Sequence, residues 1–183
     1  MRILKGSLKG KNIVCPIGVR PVSVMVRRAC FDILGEAIQG GKVLDLFAGS
    51  GSLGIESLSN GAEQSIFVDI SNVCVETVKK NTLSTKIGQK IEVYLKDADK
   101  AIHEFFTRQI SFDFIFLDPP YYKGMLRKTL QTLEEYDILT PSGYILCFCY
   151  IKDDFCKESD KFYLIAERKY GQTLLLIYRK KEK

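Results

Sequence analysis

At 183 residues and 46% hydrophobic content, the chain is long enough to bury an ordinary core and short enough to form one compact unit. No apolar run approaches the roughly 20 residues of a bilayer span, and Met1 leads into a polar–apolar alternation, not a secretory leader. A membrane partner is not expected, and the expected compartment is cytoplasmic. The net charge of +5 is unevenly placed. Residues 1–31 hold Arg2, Lys5, Lys9, Lys11, Arg20, Arg27 and Arg28 with no acid, so that segment is +7 and the remainder −2. A basic arm on a near-neutral body is the electrostatic footprint of a polyanion partner; a solvated cationic face is the plainer alternative.

In chain order, residues 2–5 and 11–15 read as a basic β-hairpin around a 6–10 turn. Residues 16–21 form a connector bounded by prolines. Ser23 is a candidate cap for a helix reaching about residue 38, with Val26, Ala29, Cys30, Ile33, Leu34 and Ala37 on its apolar face. Gly40-Gly41 ends it. Strands at 42–47, 65–69, 90–95, 112–117 and 144–150 then alternate with helices at 52–59, 72–83, 99–108 and 123–136, and with a short helix near 153–157. Residues 162–169 and 172–179 face each other across Tyr170-Gly171. Such alternation builds a parallel sheet with helices on both faces. The expected fold is α/β and Rossmann-like: a mostly parallel seven-stranded sheet with an antiparallel C-terminal hairpin strand and a small N-terminal hairpin. Residues 1–38 would be the basic hairpin and helix of a single domain, and 42–183 its α/β core.

Six cysteines (Cys15, Cys30, Cys74, Cys147, Cys149 and Cys156) form no C-x-x-C pair and lie mostly in apolar elements, as reduced thiols do. With His103 the only histidine, no metal site is expected.

The most informative stretch is Phe112-Asp113-Phe114-Ile115-Phe116-Leu117-Asp118-Pro119-Pro120-Tyr121. An apolar run of this kind is a strand buried on both faces. It delivers Asp118, Pro119, Pro120 and Tyr121 to the strand's carboxyl end, where open α/β sheets bind ligands. Proline fixes φ and lacks an N–H. The turn is therefore stiff and rich in acceptors, with a carboxylate and an aromatic face beside it. That combination suits a planar group carrying an NH2. Upstream, Gly49, Gly51 and Gly54 satisfy G-x-G-x-x-G, a turn that lets backbone approach a ligand. NAD is disfavoured, because Asp45 just before the glycines would sit near a pyrophosphate; a carboxylate there suits an ammonium or sulfonium. Asp69, ending the second strand, can accept from ribose hydroxyls. Asp97, after the third, can accept from an adenine amino group with the Ala98 N–H beside a ring nitrogen, or can simply cap the next helix.

These residues resemble the class I S-adenosylmethionine (SAM) dependent methyltransferases that act on amino groups. Arg2-Ile3-Leu4-Lys5-Gly6, Lys9-Gly10-Lys11, Gly18-Val19-Arg20-Pro21 and the Asp45–Glu56 stretch resemble, more closely, the RsmD type of 16S rRNA (guanine-N2)-methyltransferase. One departure is plain. Where that type usually reads Arg-Pro-Thr-x-Asp-x-Val-Arg-Glu, Val22, Val24 and Arg28 replace the threonine, the aspartate and the glutamate. The resemblance implies SAM as cofactor and 16S rRNA, or an assembling small ribosomal subunit, as partner. It assigns catalysis to Asp118, Pro119, Pro120 and Tyr121, with Tyr121 stacking on the base. It assigns cofactor binding to Asp45, Phe47, Gly49, Ser50, Gly51, Asp69, Ile70, Asp97, Ala98 and Asp118. Arg2, Lys5, Lys9, Lys11, Arg20, Arg27 and Arg28 would contact RNA. The rival readings are methyl transfer to DNA adenine N6 or protein glutamine N5, an NAD oxidoreductase, and a non-catalytic RNA-binding assembly factor.

Overall fold

The structure is a computed structural model describing residues 1–87, 90–121, 124–153, 155 and 159–181. Its apolar runs become seven strands: β1 (Lys42–Asp45), β2 (Gln64–Asp69), β3 (Lys90–Leu95), β4 (Phe112–Leu117), β5 (Leu139–Tyr150), β6 (Phe162–Tyr170) and β7 (Thr173–Lys180). Among the described residues five α-helices accompany them: α1 (Val24–Leu34), α2 (Ser52–Ser59), α3 (Asn72–Thr85), α4 (Ala98–Thr107) and α5 (Met125–Glu135). The strand order is β3-β2-β1-β4-β5-β7-β6. β1 to β5 run parallel, and β7 enters antiparallel between β5 and β6. β1 has β2 on one side and β4 on the other, so the order reverses there. That switch point opens a crevice at the carboxyl ends of β1 and β4.

Strand side chains alternate between faces, and two cores result. On one face Leu44, Ile115 and Ile145 pack with Ile102 and Phe105 of α4 and Leu126, Leu130 and Leu133 of α5. On the other Val43, Phe67, Phe116 and Ile177 pack with Val26 and Phe31 of α1, Leu53 and Ile55 of α2, and Ile3 and Ile13 near the amino end.

Several boundaries differ from the sequence reading. α1 stops at Leu34 because Gly35 takes φ +52 and a 3-10 turn, Gly35–Ile38, follows. Ile33 and Ala37, expected on the buried face, are exposed. β1 ends at Asp45, α3 continues to Thr85, and β5 begins five residues before Tyr144. The start expected for α5 at residue 123 and most of the helix expected near 153–157, with Cys156, lie outside the described residues.

The amino-terminal hairpin is reduced to one bridge, Arg2 with Asn12, around a 3-10 turn at Gly6–Leu8. Its backbone donors are drawn elsewhere: Glu56 of α2 accepts from the Leu4 and Lys5 N–H groups at 2.8 Å each. From there the chain climbs α3. Lys11 Nζ donates to the carbonyl of Thr85, at the end of α3. Val14 exchanges two bonds of 2.8 Å with the Asn81 amide, which also donates to Ser50 O. Residues 18–23 then cross the mouth of the crevice before α1 turns back down.

Candidate active site

The crevice is a cavity of about 500 Å³, within the range that holds a nucleoside-sized ligand. Of the expected cofactor residues, Phe47, Gly49, Ser50, Asp69, Ile70, Asp97, Ala98 and Asp118 line it. So do Pro119, Pro120 and Tyr121. Sequence reasoning missed part of the wall. Gly18, Val19, Pro21, Val22 and Ser23 close one side, and Phe148 of β5 and Thr173 of β7 close another. The Gly18-Val19-Arg20-Pro21 run was a signal for the first group; the second depends on strand pairing between distant segments.

Asp69 ties the loops of the cavity together. Its Oδ2 accepts from the Gly49 N–H and its Oδ1 from the Ser71 N–H, both at 2.8 Å. Each carboxylate oxygen has a further lone pair, so a ribose diol can still bond here. Asp97 does what a capping residue does, accepting from the Asp99 and Lys100 N–H groups at 3.1 and 3.2 Å, while facing the cavity.

Two expected cofactor residues sit behind the wall. Asp45 is 1% exposed and does not line the cavity. Its Oδ2 accepts from the Gly54 N–H at 3.2 Å, and its Oδ1 has no hydrogen-bond partner among the described residues. Burial lifts its carboxyl to about 7, the Gly54 bond opposing and the Asp69 charge adding. The reason is geometric: β1 ends at Asp45, and residues 46–50 arch over it. Gly51, at φ +76, shapes this arch and caps α2 in place of touching the cavity. Gly54 serves packing. A Cβ on it would lie 2.2 Å from Phe67 Cε1 and 2.5 Å from Ser65 Oγ. Gly54→Ala should therefore cost on the order of 1–3 kcal/mol, as overpacked cores do. Urea unfolding checks this; unchanged stability would show that the Phe67 ring moves freely aside.

Asp118 stands at the carboxyl end of β4, partly exposed to the cavity, and accepts no hydrogen bond among the described residues. Burial raises its carboxyl to about 8, with the Asp45 charge adding and Arg20 opposing. Tyr121 is held rather than free: its hydroxyl meets Thr173 Oγ1 at 3.2 Å, and the Tyr150 ring is 6.0 Å away at 39°. The Arg20 guanidinium lies 5.1 Å above the Tyr121 ring. The face expected to stack on a base is thus covered by a planar cation, and a base reaching Tyr121 must displace Arg20 or lie against it.

The expected RNA contacts are scattered. Arg20 belongs to the cavity wall. Arg27 is corrected outright. It is 0% exposed, donates to Arg2 O at 2.6 Å, and faces Glu56 across 3.6 Å. It lies on the buried stripe of α1 with Val26, Cys30 and Phe31. Lys5 pairs with Asp32. Arg2, Lys9 and Arg28 are exposed. The hairpin itself sits at the amino edge of the sheet, beside Ser59 at the far end of α2. α2 begins at the cavity with Ser52 and runs roughly 12 Å away from it.

A sheet with this strand order, a cavity at its switch point, acids at successive strand ends and Asp-Pro-Pro-Tyr at the fourth define a class I SAM-dependent methyltransferase fold. The family model described as "Conserved hypothetical protein 95" matches residues 1–179, and the chain belongs to that family. YlbH of Bacillus subtilis (strain 168) is 36% identical over 99% of this chain and 100% of its own length. Ribosomal RNA small subunit methyltransferase D of Escherichia coli (strain K12) is 26% identical over 98% of this chain and 90% of its own. The solved structure of yhhF from Escherichia coli superposes with a TM-score of 0.87 at 27% identity, covering 100% of this chain and 99% of that one. These relatives bear out the RsmD-type resemblance drawn from the sequence.

Proposed function

We propose that this protein methylates the exocyclic N2 of a guanine in 16S rRNA, free or within an assembling small subunit, with SAM as donor. The observation that carries the proposal is Asp118: a carboxyl at the cavity wall with no hydrogen bond among the described residues, on a two-proline turn beside Tyr121. The name of the Escherichia coli relative supports ribosomal RNA as acceptor.

Asp69 would hold the ribose hydroxyls, and Ile70 and Ala98 offer apolar surface for the adenine. When bound, SAM supplies an electrophilic methyl group on a sulfonium. The chain's own task is to aim the acceptor nitrogen. A guanine N2 lone pair is delocalised into the ring, so its hydrogens must be held while the nitrogen turns. Ionised Asp118 accepts one and the Pro119 carbonyl the other. Pro120 adds stiffness without a competing N–H. Arg20, Tyr121 and Thr173 bound the side by which a base enters, and a paired or stacked guanine must first be splayed out. Most of the rate gain on this account is orientation.

Mass spectrometry of rRNA nucleosides from cells lacking the protein tests the proposal. The expected result is loss of N2-methylguanosine from 16S rRNA. Unchanged N2-methylguanosine, with or without loss of another methylated nucleoside, would overturn it. Cofactor binding is checked separately. Asp69→Ala should weaken SAM binding by about 1–3 kcal/mol, the scale of a hydrogen bond to a charged group. Calorimetry showing equal affinity for the variant would remove Asp69 from the site.

A further inference from the structure

We infer that the acceptor RNA is gripped at the cavity mouth by Lys152, Arg168 and Lys169 around the β6–β7 turn, with Arg20 on the facing lip, and not by the amino-terminal hairpin. This inference rests on the ribosomal RNA reading above.

The hairpin is in the wrong place and two of its cations, Lys5 and Lys11, are engaged. It lies at the amino edge of the sheet against Ser59, while the base must enter at the carboxyl edge. Lys5 pairs with Asp32 and Lys11 donates to Thr85 O. The β6–β7 turn, in contrast, adjoins the acceptor wall. The Tyr121 hydroxyl meets Thr173, the first residue of β7. Thr173 pairs across the hairpin with Tyr170, the residue that follows Arg168 and Lys169. The Ile151 N–H donates to Gln172 O at 2.9 Å, which brings Lys152 alongside the same turn.

Charge balance separates the two lips of the mouth. On the α4–α5 lip, Lys96 pairs with Glu104 and Lys128 with Asp99 at 2.6 Å, which leaves Lys100 exposed there without an ion pair among the described residues. On the β6–β7 lip, Lys152, Arg168 and Lys169 are exposed and make no ion pair among the described residues. Acids adjoin them in sequence, Asp153 and Asp154 after Lys152 and Glu167 before Arg168, but no described acid forms an ion pair with any of the three. Asp153 Oδ2 accepts from the Tyr150 N–H at 2.8 Å and closes the turn. Glu167 is one charge against two neighbouring cations, and Arg168 donates to its backbone carbonyl, not its carboxylate. Alternation along β6 spreads the pair. Ala166 and Tyr170 pack into the layer of α1, which puts Arg168 on that face and Lys169 on the other. The two thus straddle the end of the sheet, where nucleotides flanking a splayed base would pass.

The test compares two triple variants on in vitro transcribed 16S rRNA: Lys152→Ala with Arg168→Ala and Lys169→Ala, against Lys5→Ala with Lys9→Ala and Lys11→Ala. Affinity is measured against salt, beside SAM affinity by calorimetry. Each phosphate contact on single-stranded RNA contributes about 0.7 to the log–log slope. The mouth variant should flatten the slope by roughly two units, the hairpin variant should leave it unchanged, and SAM affinity should hold in both. An unchanged slope in the mouth variant, or a flattened one in the hairpin variant, overturns the inference alone. Wild-type protein that neither binds nor methylates the RNA, whether free or assembled with small-subunit proteins, overturns the inference together with the reading it rests on.

Discussion

Asp118→Ala should lower methyl transfer to rRNA by at least about 100-fold while SAM affinity stays within a few-fold. The lost orienting acceptor acts on the acceptor amine; 100-fold corresponds to about 2.7 kcal/mol of barrier, the scale of a single preorganised electrostatic contact. Fold stability should not fall. The carboxyl makes no hydrogen bond among the described residues, and burial already holds it near 8. The same shift sets a pH dependence. The ionised form is the much stronger acceptor for the amine hydrogen, so kcat/KM should rise with pH and level off above about 8, the free enzyme's value for this group. Asp45→Asn removes a neighbouring charge that pushes Asp118 up, so its rising limb should move to lower pH. Single-turnover rates of wild type and both variants across pH 6 to 9 check this. Near-normal transfer by Asp118→Ala, or a flat profile, would remove Asp118 from the chemistry.

Much of this site was legible because strand ends are. A run such as Phe112–Leu117 is apolar at nearly every position, which only burial on both faces accommodates, and whatever follows it must emerge at a sheet edge. Asp69, Asp97 and Asp118 were found in that way, each at the end of a strand or in the turn after it. Asp45 was misplaced by the same logic. It also ends a strand, but the glycine arch after it folds back over it, and the sequence does not say which way that arch goes. Gly54 shows the complementary limit. It completes a ligand-binding pattern in sequence, and in space it meets Phe67.

The cations were the least legible. Seven in 31 residues with no acid is a true excess, yet sequence counts charge without pairing it. The acids that engage Lys5 and Arg27 lie outside that window: Asp32 is the residue after it, and Glu56 is well down the chain on α2. The cations here proposed to matter at the mouth, Lys152, Arg168 and Lys169, sit among acids in the sequence and drew no attention there. What distinguishes them is their place beside Thr173 and Tyr121, and this depends on β7 entering the sheet antiparallel to β5.

The second large effect concerns Arg27. Arg27→Ala should destabilise the protein by about 3–5 kcal/mol, the cost of leaving one member of a buried ion pair uncompensated. Glu56 is buried with it, and burial raises its carboxyl against the Leu4 and Lys5 N–H bonds and the Arg27 charge that hold it ionised. Without the guanidinium, Glu56 loses its counter-charge and Arg2 O loses its donor at 2.6 Å. Those groups join three segments, since Glu56 is on α2, Arg27 on α1, and Leu4 and Lys5 in the hairpin. The hairpin should therefore loosen first, seen as faster proteolysis within residues 1–13 before global unfolding. Adding Glu56→Gln to Arg27→Met should recover part of the loss, because the amide keeps an acceptor for the two N–H groups and removes the stranded charge. If Arg27→Ala unfolds in urea within about 1 kcal/mol of wild type, less than any buried ion pair should give up, then Arg27 is not the clamp described here, and an RNA contact for it becomes the better account.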